Sequence, residues 1–238
     1  DLVTIVELRD DVGDLHRILA RLGKPWRAVY SDYLRDDGGN RERVGFVFRE
    51  DRVRFTGLAS SAEPARKVRG RGYVQTIPWW RPPFLGSFEA GAFPFLLVAA
   101  HLRWGHTVGE REQELHEVGR WLHARRQETA FGGQRLLVVG DFNIASDRST
   151  VWPALAEAGL VQAPGLAGDP GSNLKRGKRY DRILCTADDA GRLSGRAGVV
   201  DWYAGDWEGI LPGTGLGEAK LTWEVSDHLP VWAEVAAG

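Results

Sequence analysis

The sequence predicts a single α/β sandwich domain over residues 1–238. Short β-like apolar runs clearly outnumber helical segments, and two or three amphipathic helices remain to cover the faces of the sheets. Strands and helices do not alternate regularly along the chain, which argues against a doubly wound parallel sheet. A chain of 238 residues is long enough to bury one large core without dividing into two domains.

The N-terminal part is predicted to contain a strand, a helix and a β-hairpin. The opening strand ends at Glu7, and apolar residues at helical spacing predict a helix from Val12 to Leu22. Two alternating segments, Trp26 to Tyr33 and Arg43 to Phe48, lie on either side of the turn-rich residues 36–40. This pattern is typical of a hairpin.

The middle of the chain combines a basic segment with strands and a long helix. Residues 56–72 are polar and predict a mobile surface loop. Strands are predicted at Tyr73 to Ile77 and Phe95 to Leu102. Thr107 and Glu110 form a capping box for the helix that follows. Its apolar stripe, which we expect to face the core, is Val108, Leu115, Val118 and Leu122.

The C-terminal half supplies the remaining elements. An apolar run leads to Gly140, and a short helix is predicted near Trp152 to Ala158. Two further strands are predicted at Arg182 to Cys185 and Val231 to Val235.

The composition is that of a soluble globular protein and excludes several classes of site. The formal net charge is −1, so any attraction to a polyanion must come from local patches or from a metal. Cys185 is the only cysteine, which excludes an intrachain disulfide and a cysteine-based zinc site. We therefore expect any bound metal to be a hard ion with oxygen ligands.

No run of about 18 apolar residues occurs, so no membrane-spanning helix is predicted. The chain contains no Met and opens directly on a strand, so we expect its natural start to lie upstream. The lack of a leader sequence therefore does not decide between a cytoplasmic and a secreted protein.

Four short motifs place an acid or an imidazole at the end of a β-like run. They are AHL at residues 100–102, GDFN at 140–143, YDRI at 180–183 and SDH at 226–228. Strand ends hold side chains on a rigid scaffold and frequently carry active sites. Together the motifs predict a hydrolytic site assembled from several strand ends.

Two histidines can be paired with carboxylates in this pattern. His228 titrates near neutral pH and needs a partner that holds its tautomer, for which Asp181 is a candidate. His101 is either a buried structural histidine or a second catalytic group that Glu42 orients. One base that activates water and one acid that protonates a leaving oxygen suit cleavage of a phosphodiester.

An acid and a base near the first strand suggest a metal site and a phosphate site. Glu7 presents a carboxylate at the open end of the strand, which suits a hard cation, although an ordinary polar strand end is the simpler interpretation. Arg9 projects to the same side if the strand continues, where it can bind phosphate or form a surface ion pair.

Two further segments are candidates for contact with a substrate. The basic segment 175–179, which includes Lys178 and Arg179, forms either a polyanion-binding loop or a solvated one. Tyr180, which follows it, can stack on a substrate or hydrogen-bond to it. The aromatic segment 79–84 can stack on bases, contact a lipid surface or pack in the core.

These motifs, in this order and spacing over nearly the whole chain, resemble the endonuclease/exonuclease/phosphatase superfamily, and within it most closely the pancreatic-type deoxyribonucleases. Glu7 and Arg9 lie in a segment like the family's acidic metal-site motif, with Val6 in place of the usual Gln. Arg81 is similar to the family's phosphate-contacting arginine, and Glu42 to the acid that pairs with the first histidine.

The resemblance implies a four-layered α/β sandwich of two mainly antiparallel sheets flanked by helices. It also implies phosphoester hydrolysis with a divalent metal, Mg²⁺ or else Mn²⁺ or Ca²⁺, held by Glu7 and Asp227 directly or through water. Asn143, Arg9 and Arg81 are expected to hold phosphate oxygens.

The resemblance implies roles for the paired histidines as well. His228, oriented by Asp181, is expected to activate water, and His101, paired with Glu42, to protonate the leaving oxygen. The sequence leaves these two roles interchangeable, and Asp141 is a rival base.

Two departures from the family pattern stand out. The family's first strand, which carries an active-site Asn, has no counterpart here, so we expect it upstream or from another segment. No obligate protein partner is otherwise indicated. Asn40 stands where pancreatic-type enzymes place an aromatic residue against the DNA minor groove.

Nucleic acid, DNA or RNA, cleaved endonucleolytically is the leading substrate prediction, because of the basic segment 175–179 and the paired histidines. A phospholipid or phosphoinositide hydrolase, with Trp79, Trp80 and Phe84 at a membrane, is the alternative. A non-catalytic module or toxin fragment that retained the fold is the third hypothesis.

Overall fold

The computed structural model describes residues 1–33, 41–63, 66–75, 79–128, 134–157, 159–169, 171–193, 195–204, 209, 212–213, 215 and 218–238. The predicted turn at 36–40, with Asn40, lies outside the described residues. Ile77, at the end of a predicted strand, and Ala158, at the end of the predicted short helix, also lie outside them.

Strands dominate the described part of the chain. They are β1 (Leu2–Leu8), β2 (Trp26–Tyr30), β3 (Arg43–Arg49), β4 (Arg54–Ser61), β5 (Arg66–Arg69), β6 (Gly72–Gln75), β7 (Phe84–Ala90), β8 (Phe93–His101), β9 (Arg135–Asp141), β10 (Leu160–Gln162), β11 (Asp181–Thr186), β12 (Ala197–Val199) and β13 (Val231–Ala233). The main helices are α1 (Gly13–Leu22), α2 (Val108–Arg126), α3 (Val151–Glu157) and α4 (Glu218–Glu224).

Six strands form a central sheet in the order β10-β11-β9-β8-β7-β4. β8 and β9 run parallel, and the other neighbouring pairs in this sheet are antiparallel. A second sheet has the order β1-β3-β2 and is antiparallel. The pairs β12–β13 and β5–β6 complete the described strand pairing.

The central sheet buries both of its faces, because successive side chains of a strand point to opposite sides. On one face Val98 of β8 belongs to the same core cluster as Leu115 of α2. On the other face Leu97 shares a cluster with Phe46 of the second sheet. Because α1 contacts β2 of the second sheet, the layers run helix, sheet, sheet, helix. The predicted sandwich of mainly antiparallel sheets is confirmed.

The predicted hairpin and the predicted long helix are both present. β2 and β3 pair antiparallel, with Trp26 opposite Arg49. The Thr107 side chain accepts a hydrogen bond of 3.2 Å from the backbone N–H of Glu110 and so caps α2. Three of the four expected stripe residues are buried, but Val108 is 48% exposed, because the first turn of α2 lies outside the core cluster.

The prediction of a mobile loop over residues 56–72 is wrong. Most of β4 falls in this range and pairs with β7, and β5 pairs with β6. Gly57 and several small polar residues break the apolar alternation of β4, and its register shifts between Phe55 and Ala59. β7, β10, β12 and α4 were not predicted either; β7 follows two prolines and has Gly and Ser at its centre.

Across the ranges that the structure describes, helices are too short or too polar to cross a membrane.

Candidate active site

The register of three neighbouring strands places the predicted motifs on one rung of the central sheet. His101 of β8 lies opposite Asp141 of β9 in the parallel pair. Asp141 in turn lies opposite Asp181 of β11 in the antiparallel pair. Backbone hydrogen bonds continue this ladder, from Leu102 N–H to the Asp141 carbonyl at 2.9 Å and from Phe142 N–H to the Tyr180 carbonyl at 3.0 Å. The three chemically active residues His101, Asp141 and Asp181 therefore lie side by side on one rung of the central sheet.

Gly140 permits the close approach of β8 and β9 at this rung. Its φ is 138°, and a Cβ atom built there would lie 1.9 Å from the carbonyl oxygen of Ala100. A backbone contact of this kind cannot be relieved by a side-chain rotation, so only glycine fits. The first residue of the GDFN motif is thus required by strand packing.

Asn143 fixes the carboxylate of Asp141, which is buried. The backbone N–H of Asn143 donates to Asp141 Oδ1 at 2.8 Å, and its Nδ2 donates to Asp141 Oδ2 at 3.1 Å and to the Leu102 carbonyl at 2.8 Å. Asn143 has a φ of 53°, a strained left-handed conformation that these bonds hold. Both side-chain N–H groups are in use, so contact with a phosphate oxygen requires one of these bonds to open.

Asp141 has an unusually high proton affinity for an aspartate. Burial and, to a smaller extent, the nearby charge of Asp181 together raise the pKa of Asp141 to about 6, against opposing effects of His228 and His101. A carboxyl group that titrates near neutral pH is suited to exchange a proton during a reaction.

His101 is enclosed by carboxylates. Its Nδ1 lies 3.2 Å from Glu42 Oε2, and the same oxygen lies 2.9 Å from Nη2 of Arg81. Its Nε2 faces Glu7 Oε1 at 3.5 Å and Asp141 Oδ2 at 3.9 Å. The pairing with Glu42 holds Nδ1–H, which directs the second ring nitrogen toward the centre of the site.

His228 occupies the other side of the rung. Its Nδ1 lies 2.7 Å from Asp181 Oδ2, and its ring stacks on Tyr180 with centroids 5.6 Å apart. Burial lowers the pKa of His228, but the hydrogen bond and charge of Asp181, with the charges of Asp141 and Asp227, outweigh it and raise the pKa to about 9. In the metal-free chain His228 is therefore protonated at neutral pH.

Glu7 and Arg9 do not lie on one continuous strand. Glu7 has a left-handed φ of 59°, and the register of β1 against β3 shifts between Ile5 and Leu8. The condition for Arg9 to project beside Glu7, a strand that continues past it, is not met, because β1 ends at Leu8 and the bulge breaks its alternation. Arg9 is exposed beyond the end of the strand.

The donor set of the site fits a hard divalent cation. Carboxylate oxygens with an imidazole suit Mg²⁺ or Mn²⁺, and a cation would relieve the repulsion that Asp181 exerts on Asp141. In the described chain two groups of three residues have ligand atoms that lie within 4.8 Å of one another: Glu7, Glu42 and His101, and Asp141, Asp181 and His228. Asp227 is exposed and belongs to neither group, so its part in holding the ion stays a prediction.

The basic segment 175–179 is held partly by its own ion pairs. Arg176 Nη2 lies 3.0 Å from Asp169 Oδ2, and Arg179 Nη1 lies 3.0 Å from Asp147 Oδ2. Arg179 also donates to the backbone carbonyl of Asp169. Lys178 is exposed, with its Nζ 5.8 Å from the centroid of the Tyr180 ring. Lysine side chains are therefore the more accessible cations of this segment.

A cleft of about 310 Å³ opens beside Arg103, which follows His101 by two residues in the sequence. Trp80 and Arg103 line it, and the Arg103 guanidinium lies 3.7 Å from the centroid of the Trp80 ring. The backbone N–H of Trp80 donates to Glu114 Oε1 at 3.1 Å, and burial raises the pKa of this carboxyl group. The sequence signals for this cleft are the aromatic segment 79–84, which supplies Trp79 and Trp80, and Arg103 after Leu102.

The aromatic segment 79–84 packs mainly inward. Phe84 is buried in the core, so the expectation that it touches a membrane is wrong. Trp79 packs edge-on against Trp121 with centroids 5.7 Å apart, and Trp80 is 41% exposed at the cleft.

Solved structures with the same fold have low sequence identity to this chain. An endonuclease/exonuclease/phosphatase from Bacteroides vulgatus is 15% identical, with a TM-score of 0.62, over 99% of this chain and 84% of that chain. A mannosyl-6-phosphatase from Bacteroides thetaiotaomicron is 18% identical, with a TM-score of 0.60, over 99% and 85%. The human Nocturnin catalytic domain with bound sulfate is 16% identical, with a TM-score of 0.57, over 79% and 69%.

A search of curated proteins returns no match. The sequence model of the Endonuclease/Exonuclease/phosphatase family, in contrast, matches residues 1–228. The match spans every motif that the rung brings together, and the chain belongs to the Endonuclease/Exonuclease/phosphatase family.

Proposed function

We propose that this family hydrolase is a divalent-metal-dependent endonuclease that cleaves phosphodiester bonds of DNA. The observation that carries the proposal is the placement of two histidine–carboxylate pairs, His101–Glu42 and His228–Asp181, on either side of Asp141. Such an arrangement provides one side that accepts a proton and another that donates one. The likeness to pancreatic-type deoxyribonucleases stays a prediction.

The His101 side takes the proton of the attacking water. Glu42 holds Nδ1–H of His101, which leaves Nε2 free to accept, and Asp141 lies 3.9 Å from this nitrogen as the rival acceptor. One nitrogen of Arg81, Nη2, pairs with Glu42, and the other guanidinium donors can bind a phosphate oxygen.

The His228 side gives a proton to the leaving oxygen. As the water oxygen bonds to phosphorus, the bond to the leaving oxygen breaks, and the proton on His228 neutralises the alkoxide. The pKa of His228 in the metal-free chain, raised to about 9, supports this role. We therefore propose the reverse of the roles that the resemblance implied, with His101 as the base and His228 as the acid, which is the exchange that the sequence left open.

The divalent ion, held by the carboxylates of the site, would neutralise the negative charge that develops on the phosphoryl oxygens. The chain's own contribution is to fix these carboxylates: Asn143 anchors Asp141, and the backbone N–H of Asp181 donates to Ser172 Oγ at 3.1 Å.

The substrate class rests on surface features rather than on the fold. By their names, the structural neighbours include a mannosyl-6-phosphatase and Nocturnin, so the scaffold serves more than one substrate. Exposed Lys178 beside Tyr180 favours a polyanion. The burial of Phe84 removes one of the three aromatic contacts that the lipid alternative requires.

Four substrates, tested with Mg²⁺ and again with EDTA, examine this proposal: supercoiled plasmid, single-stranded RNA, phosphatidylinositol vesicles and bis-p-nitrophenyl phosphate. We expect nicking of the plasmid that EDTA abolishes. Headgroup release from vesicles without nicking would establish the lipid alternative. A lack of turnover on all four with both Mg²⁺ and Mn²⁺ would support the non-catalytic hypothesis.

A further inference from the structure

The β5–β6 hairpin, residues 66–75, forms a basic arm on the surface. It carries four cations and no acid: Arg66, Lys67, Arg69 and Arg71. All four residues of β5 are exposed, and within the described chain the two strands pair only with each other. The arm therefore gains little from burial and concentrates positive charge in a chain whose formal net charge is −1.

The basic arm also exposes an apolar pair. Val68 and Tyr73 lie directly opposite each other in the hairpin register and are 71% and 72% exposed. A cross-strand pair of this type normally stabilises a sheet by packing against a third layer. Large apolar side chains that remain in solvent beside a cluster of cations are typical of a surface that binds a partner.

Chain connectivity keeps the basic arm close to the active site. Gln75 precedes Trp79 by four residues, so their Cα atoms lie within about 14 Å of each other. Two residues further on, Arg81 forms the ion pair with Glu42 inside the site. A 2.7 Å hydrogen bond from Ala62 N–H to the Pro83 carbonyl joins the segment before the arm to the segment after it. A substrate bound at the arm is therefore within reach of the site.

We propose that the basic arm binds the phosphate backbone of a duplex nucleic acid and holds it for cleavage; this inference rests on the proposed function. Four clustered cations complement the regular negative charge of a duplex. A two-stranded β-ribbon is narrow enough to enter a major groove, where Tyr73 and Val68 would contact sugar or base surfaces.

The composition of the turn distinguishes a duplex from a lipid bilayer. The connection between the strands is Gly70-Arg71, flanked by Arg69 and Gly72, and has no apolar side chain. Insertion of this turn into a bilayer would bury two guanidinium groups, which is costly. Contact with phosphate groups leaves the same groups paired and partly hydrated.

Neutralisation of the arm provides the test. The arm variant combines Arg66→Gln, Lys67→Gln, Arg69→Gln and Arg71→Gln. A matched control combines Arg21→Gln, Lys24→Gln, Arg52→Gln and Arg196→Gln, all at exposed positions elsewhere. Each variant lowers the formal net charge of −1 by four, so long-range electrostatics change equally. Circular dichroism and urea unfolding verify that both variants fold.

We expect kcat/KM for plasmid nicking in the arm variant to fall by about tenfold or more at 0.1 M salt, mainly through KM. The slope of log kcat/KM against log salt concentration should fall by about 3.6, at roughly 0.9 for each of the four lost phosphate contacts. The control variant should retain the wild-type slope. Equal losses in both variants, or no loss in either, would overturn the proposal.

Hydrolysis of bis-p-nitrophenyl phosphate separates this proposal from the proposed function. If the arm only binds duplex, the arm variant keeps wild-type turnover of this small diester. No turnover by the wild type would refute the proposed chemistry instead. A final experiment measures binding of the wild type and the arm variant to vesicles of phosphatidylcholine and phosphatidylserine. Loss of vesicle binding in the arm variant, with unchanged plasmid nicking, would overturn the duplex assignment.

Discussion

The two histidine–carboxylate pairs of the site are built from the same residue types but differ in their surroundings. The His101 side chain is 6% exposed, and its Glu42 partner also binds Arg81. The His228 side chain is 25% exposed, stacks on Tyr180 and contacts its carboxylate at a shorter distance. Sequence motifs do not distinguish the two pairs, whereas their environments do.

This difference indicates how one site can accept and donate a proton at the same pH. Glu42 Oε2 lies 2.9 Å from Arg81 as well as 3.2 Å from His101 Nδ1. Asp181 is 2.7 Å from His228 and is the main source of its raised pKa. His101 and His228 therefore have different proposed roles because different charges lie near each of them, although the residue types are the same.

Removal of either imidazole should have the largest effect and should separate the two roles. We expect His101→Ala and His228→Ala each to lower kcat/KM on plasmid by about 10³-fold or more, because each removes a proton-transfer group. On bis-p-nitrophenyl phosphate, whose leaving group needs no proton, His228→Ala should recover most of its activity and His101→Ala should not.

Steady-state kinetics with both substrates measure this contrast. The exposed His123→Ala on α2 serves as the control and should match the wild type. Recovery of His101→Ala rather than His228→Ala on the activated diester would reverse the assigned roles. Near-normal activity of either variant on plasmid would contradict the mechanism altogether.

Removal of the orienting carboxylates should have an intermediate effect. We expect Asp181→Asn and Glu42→Gln each to lower kcat by about 10²-fold, since the imidazole remains but loses its orientation. In addition, Asp181→Asn should lower the pKa of His228 toward its ordinary value, because Asp181 supplies most of the opposing charge. NMR titration of the ring protons in EDTA measures this pKa; an unchanged value would show that Asp181 does not charge His228.

Asp141→Asn should stabilise the metal-free protein while it impairs catalysis. The folded-state pKa of about 6 lies above the ordinary 3.8, so folding favours the protonated form, and the stability associated with it is lost as pH rises through about 6. At pH 8 in EDTA the variant should gain up to about 3 kcal/mol in the free energy of unfolding.

Urea denaturation of wild type and variant at pH 4 and pH 8 measures this gain. The difference between the two proteins should be small at pH 4 and large at pH 8. His228 acts in the same direction, because its raised pKa contributes stability below about 6.5 that disappears as pH rises through about 9. A difference that does not depend on pH would contradict the buried-charge explanation for Asp141.

The smallest effect should come from the ring that stacks on His228. We expect Tyr180→Phe to change kcat by less than about twofold, because the stack at 21° between ring planes needs only the aromatic face. Tyr180→Leu should lower kcat by about fivefold. Plasmid nicking rates measure both; a large loss in Tyr180→Phe would assign a role to the hydroxyl group instead.

Local sequence patterns predicted much of the fold and named most of the residues on the central rung. The β2–β3 hairpin and the α2 cap were predictable because alternation and capping depend on neighbours in the chain. β4 was missed, since polar residues and glycine interrupt its apolar pattern and its partner β7 lies far along the chain. β7 was missed although β8 follows it directly, because two prolines precede it and Gly and Ser lie at its centre.

The chain's own sequence determined which chemical groups are present at strand ends and why Gly140 must precede Asp141. Only the tertiary structure decided what each group does. The register of β8, β9 and β11 sets the distances within the rung, and the bulge after Ile5 separates Glu7 from Arg9. Ion pairs such as Arg179–Asp147 decide which cations remain accessible. These outcomes depend on contacts between distant segments, and burial and charge at those contacts set the proton affinities on which the proposed chemistry depends.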